Sequence, residues 1–157
     1  MKKSAVILVN VGAPDVPAAK PVGRFLKPFF SDCRVVEAPR LLWWFLLRLF
    51  VIPLRAKKVA DAYPEIWLDE GSPLRVISQR QVFVLQNMLD VECGSEAPLV
   101  VGAETYGEAS IASRIVELKT KGVDRYIVIP LYTQYSGSTT GAVYDQLADI
   151  VRSERNV

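Results

Sequence analysis

The residues with the most obvious chemical potential sit in one apolar stretch, RLLWWFLLRLFVIPLR, residues 40–55. Taken as a helix at about 100° per residue, Arg40, Arg48 and Arg55 fall within about 80° of one another. They form a narrow basic stripe on an otherwise apolar cylinder. Such a helix can lie on a membrane surface, line an apolar pocket, or be buried in a core or dimer contact. It does not read as a span, because Arg48 interrupts a run far short of the roughly 20 apolar residues a span needs. Pro53 is expected to break the helix interior. A second candidate is TQYSGSTTG, residues 133–141. Its hydroxyls and glycines lead into a helix, the pattern of a generic anion site. The chain holds no histidine, so Ser-His-Asp and Cys-His catalysis and Cys/His zinc sites are excluded within it. Cys33 and Cys93 stand alone, which suggests free thiols in a reducing compartment. Neither GxxxxGK[ST] nor GxGxxG occurs, so a standard nucleotide fingerprint is missing.

These residues need a scaffold. One domain is the natural reading of 157 residues, half of them hydrophobic. The formal net charge of +2 gives no ground for a nucleic-acid partner. AVILVNV, residues 5–11, is a continuous apolar run, as expected for a strand buried on both faces. The start MKKSAVILVNVG lacks a small-x-small cleavage site and reads as that strand in a cytoplasmic protein rather than as a signal peptide. Residues 16–30 carry apolar positions at helical spacing, with Pro28 bending or ending the helix. AKKVADAY predicts a short helix ending near Pro64. Ser72 and Pro73 open another, running to about Leu89. Strands are expected over 99–103 and 126–132. A helix with Ser110 as its cap and Gly122 as its stop lies between them. The last helix covers residues 142–155. Strands alternating with helices imply a parallel sheet with helices on both faces. Ligands then sit at the carboxyl ends of the strands.

The motifs LVNVGAPD, RFLKPFFSDCRVVEAPRLLWW, VIPLRAKKVADAYPEIW, EGSPLRVIS, ETYGEAS, GVDRYIVIPLY and QYSGSTTGAVYDQL keep a specific order. In that order the chain resembles the N-terminal half of ferrochelatase, bacterial enzymes of proteobacterial type in particular. The resemblance implies a three-layer α/β sandwich with a parallel sheet, flavodoxin-like, the first of two similar domains. It implies insertion of ferrous iron into protoporphyrin IX, with iron as substrate and no cofactor held by this half. Val11, Gly12, Ala13 and Pro14 would form the floor loop. Arg55, Tyr63, Ser72, Tyr135 and Ser136 would lie near the porphyrin and its propionates. Leu42, Trp43, Trp44 and Leu46 would belong to a lip, where aromatic rings supply contact area and arginine pairs with carboxylates. A lip of this kind suits peripheral membrane contact.

The family's metal-facing histidine and its acidic partner belong to the second half, so this chain alone is expected not to insert iron. Two readings compete: a porphyrin- or haem-binding or partner-docking module without catalysis, and a phosphate or flavin binder built on the Ser/Thr/Gly loop. Family members resemble M[RST]YGNPS where this chain has ETYGEAS. Glu104 thus replaces an apolar residue, and it would repel a propionate unless it points elsewhere. Thr133 and Phe45 also depart from the pattern. A sheet whose next strand is missing would leave the third strand as an open edge and promote self-association.

Overall fold

Ala5, Ile7 and Val9 are fully withdrawn from solvent, and Val6 and Leu8 nearly so. That is why an unbroken apolar run, not an alternating one, encodes β1 (Lys3–Asn10). The structure, a computed structural model, describes residues 3–153. It divides into two compact units, Met1–Gly12 with Ile77–Val157, and Ala13–Val76.

In the first unit β1 pairs in parallel with β2 (Leu99–Glu104) on one side and β3 (Val123–Pro130) on the other. Ala5, Ile7 and Val9 pack against α5 (Ile111–Thr120) and α6 (Ala142–Ser153), through Ile111, Ile115, Leu118 and Val143. Val6 and Leu8 face the other way, onto Val82, Leu85 and Leu89 of α4 (Pro73–Cys93). The two covered faces make the expected α/β sandwich. They follow from right-handed crossovers that run first to one side of β1 and then to the other. α4 continues four residues past the expected Leu89. Ser110 caps α5, its hydroxyl accepting from the Ser113 N–H at 3.1 Å, and Gly122 (φ 77°) follows its end. Replacing Ser110 with alanine should cost about 1 kcal/mol, read as a lower urea midpoint with unchanged slope. The loop expected over 133–141 is instead helical from Gly137, as a wide turn (Gly137–Gly141) leading into α6. The final residues of the expected last helix lie outside the described residues.

In the second unit α1 (Ala19–Ser31) packs on α3 (Ile52–Ala62) through Val22, Leu26, Ala56 and Ala60. The alanines keep this contact close. α1 carries Pro28 in its interior and continues to Ser31, so the proline does not end it. α2 (Arg40–Leu46) runs through a wide π turn (Leu47–Val51) into α3. This corrects the expected break at Pro53. In a regular helix the ring would strike the Leu49 carbonyl, and the wide turn opens the backbone just before it. Within this segment the three arginines go to different partners: Arg40 to the Ser31 carbonyl, Arg48 to the Trp44 ring and Arg55 to the Phe30 ring. Burial of the stretch in the chain's own core is also overturned. Leu47 is buried, whereas Leu41, Leu42, Trp44, Phe45, Leu49, Phe50 and Leu54 are exposed. No helix among the described residues is long and apolar enough to cross a membrane.

Candidate functional site

β2 and β3 lie on opposite sides of β1, so the order in which strands are added reverses at β1, and such folds bind ligands at the carboxyl ends of the strands there. A polar hub ties the strand ends together there. The Asn10 side chain accepts from the Val11 N–H at 2.8 Å and donates to the Ser78 hydroxyl at 3.1 Å. The Thr105 hydroxyl donates to the Asn10 carbonyl and lies 3.2 Å from the Tyr132 hydroxyl. Threonine has one hydroxyl proton. With that proton on Asn10, Tyr132 must be the donor to Thr105, which requires a neutral phenol. Burial pushes the Tyr132 hydroxyl up, against a smaller lowering by Thr105, and keeps it neutral. Gln146 of α6 closes the hub by donating to the Thr105 carbonyl at 3.0 Å. The sequence reading missed Thr105, Tyr132 and Gln146, because nothing in their spacing shows that three chain segments converge.

The hub carries two of the expected floor residues. Val11 accepts from the Tyr106 N–H at 3.0 Å. Gly12 is buried with φ 97°, and a Cβ there would lie 2.7 Å from the Tyr106 carbonyl oxygen. Glu104 is buried, and its carboxylate fills the space over Gly107 that a side chain would take. Tyr135 is 69% exposed, and Ser136 is exposed. The Ser136 and Ser138 hydroxyls lie 3.1 Å apart, and Thr139 donates to the Ser136 carbonyl. The two serine hydroxyls are engaged with each other and the Thr139 hydroxyl with a backbone carbonyl, which weakens the loop as a phosphate cradle. Among the described residues no three His, Cys, Asp or Glu gather to hold a metal.

The second unit has its own concave surface, an open groove of about 780 Å³ along α3. Phe50, Leu54 and Ile66 make it apolar, and Arg55, Lys58 and Tyr63 supply its polar groups. Arg55 is steadied by its guanidinium 5.1 Å over the Phe30 ring. Tyr63 packs edge-on against Trp67, and burial raises its hydroxyl pKa, leaving a neutral hydrogen-bond donor. Arg55 and Tyr63 thus line one groove. Lys58, one turn from Arg55, went unremarked in the sequence. Pro14 and Ser72 are buried and do not line this groove. Of the lip residues, Leu42, Trp44 and Leu46 are exposed, with Arg48 stacked 4.3 Å over Trp44. Trp43 turns inward and anchors α2, its indole N–H donating to the Phe30 carbonyl at 2.7 Å. Arg40 takes no part in the groove; it donates to the Ser31 carbonyl.

Comparison with known proteins supplies what the geometry leaves open. The family model described as ferrochelatase matches residues 3–157. A protein named ferrochelatase from Escherichia coli O45:K1 (strain S88) is 44% identical over 155 residues, covering 99% of this chain and 47% of the relative. Ferrochelatases from the O9:H4 (HS) and SMS-3-5 strains give the same identity and coverage. The chain spans about half the length of the curated relatives it matches.

Proposed function

Because the chain belongs to the ferrochelatase family, we propose that it serves the insertion of ferrous iron into protoporphyrin IX, the step that makes protohaem, as the N-terminal domain of that enzyme. The observation that carries this reading is the α3 groove. Its apolar walls suit the flat face of a macrocycle, and Arg55, Lys58 and the neutral Tyr63 hydroxyl suit a propionate. The loops at the carboxyl ends of the strands, with Val11, Gly12, Tyr135 and Ser136, are in this reading a separate candidate surface in the other unit. Pro14 and Ser72 are buried and support their own unit.

Insertion replaces two pyrrole N–H protons by one Fe²⁺ and releases two protons. It needs a base, a metal-facing side and a cavity that bends the ring. This chain has no histidine, so its own contribution is to bind and orient the porphyrin. The base and iron-handling groups belong to the second half. The exposed Leu41, Leu42, Trp44, Phe45 and Leu49 fit contact with a lipid surface, from which an apolar porphyrin would be taken. Cosedimentation with anionic vesicles checks that contact. Among the described residues β3 has a strand partner on one side only, with Ile127 and Ile129 exposed, and self-association through this edge follows the same reading.

The test is a titration of protoporphyrin IX into the chain, read by its Soret band and by quenching of Trp43, Trp44 and Trp67. Saturable binding is expected. No metalloporphyrin should form when ferrous iron is added anaerobically to the chain alone. A flat titration would overturn the porphyrin reading. Iron insertion by the isolated chain would overturn the assignment of the base to the second half.

A further inference from the structure

We propose that Arg75 is a positioning residue: it straps the Ala13–Pro14–Asp15 segment that follows β1 and so sets the shape of the floor offered to the porphyrin. The inference rests on the porphyrin reading above and deepens it. It starts from an oddity of placement. Arg75 is the third residue of α4, where the helix dipole disfavours a cation. A side chain in that position must gain elsewhere what it loses there. Its guanidinium bonds to both sides of Pro14. One nitrogen meets the Asp15 carboxylate at 3.0 Å, and the other donates to the Ala13 carbonyl at 2.8 Å.

The segment has little else to hold it. Among the described residues Ala13, Pro14 and Asp15 make no backbone–backbone hydrogen bond. Pro14 has no N–H to offer. Ala13 and Pro14 are nevertheless buried, so the segment has a defined shape without a ladder to impose it. The planar fork of arginine suits a carboxylate and a carbonyl held side by side, whereas a lysine ammonium on its flexible stem does not pre-set the two. The Asp15 carboxylate also offsets the charge that Arg75 brings to the helix start.

Two readouts on the same chain test this. Backbone ¹⁵N order parameters of Gly12, Ala13 and Asp15 report the strap without any ligand. Protoporphyrin affinity reports its use. Arg75→Met should lower the order parameters of the segment from about 0.85 to below about 0.6 while Val6–Val9 stay rigid, since it removes an ion pair and a charge-assisted bond to a carbonyl. Protoporphyrin affinity should fall by about tenfold with it, and Arg75→Lys should recover part of both effects. Unchanged order parameters in Arg75→Met would overturn the strap. A loosened segment with unchanged affinity would overturn the positioning role and leave a structural one. Absence of binding by the unsubstituted chain is a different result, because it removes the porphyrin reading itself. If Arg75→Met also loosens Val6–Val9, Asp15→Asn decides by the same two readouts.

Discussion

Gly12→Val is expected to destabilise the first unit by about 3–5 kcal/mol, a large share of the stability of an ordinary domain. Two costs combine. Gly12 holds φ 97°, a conformation that strains a β-branched residue by roughly 1–3 kcal/mol. The new Cβ would also lie 2.7 Å from the Tyr106 carbonyl oxygen and 3.1 Å from the Glu104 Cβ. The first neighbour is backbone and cannot rotate away. Relieving it means moving the 104–109 turn and losing the Tyr106–Val11 bond, about 1 kcal/mol more. Gly122→Ala separates the two costs. Gly122 also has positive φ, 77°, but nothing within 4 Å of its would-be Cβ. It should lose only the strain, about 1 kcal/mol. Urea midpoints of the two variants decide the matter. Equal losses would mean that the close approach between the two strand-end loops does not exist.

That close approach shows what the sequence could and could not reveal. The alternation of β1, α4, β2, α5 and β3 was legible, because each signal is local: a continuous apolar run, Ser72-Pro73, Ser110 and Gly122. The helix through Pro53 was not. Whether a proline breaks a helix depends on the turn before it, and a five-residue wide turn has no signature in composition. Exposure of the 40–55 stretch was also hidden, since periodicity reports that a face is apolar and not what covers it. Arg55 and Tyr63 were legible as site candidates only through family resemblance. Lys58 beside them is read from their shared groove. The Tyr132–Thr105–Asn10 relay joins residues more than 90 positions apart. Pairing of three strands in one register creates it, and register is set by the whole sheet. Glu104 marks the limit of motif reading. Against the family pattern it looks like a misplaced charge; in the structure its carboxylate occupies the space left open by Gly107, a fit that a motif comparison does not show.

Reversing both charges of the α3 groove, Arg55→Glu with Lys58→Glu, should weaken protoporphyrin binding roughly a hundredfold. Each side chain is exposed, so neither is worth much to the fold; Arg55 gives up only its contact with Phe30, about 0.5–1 kcal/mol. Toward a ligand the balance differs. A carboxylate hydrogen-bonded to a cation gains about 1.5–3 kcal/mol, and the reversed groove adds repulsion where there was attraction. A net change near 3 kcal/mol is roughly a hundredfold in affinity. The neutral pair Arg55→Gln with Lys58→Gln removes attraction without adding repulsion and should lose only about tenfold. Added salt should shrink the difference between the two doubles, because exposed charges are screened within about 10 Å at 0.1 M. A porphyrin dimethyl ester, with no carboxylates, should bind all three proteins alike. If the charge-reversed protein binds the free acid as tightly as the original, the propionates do not lie along α3. The groove would then be an apolar surface only.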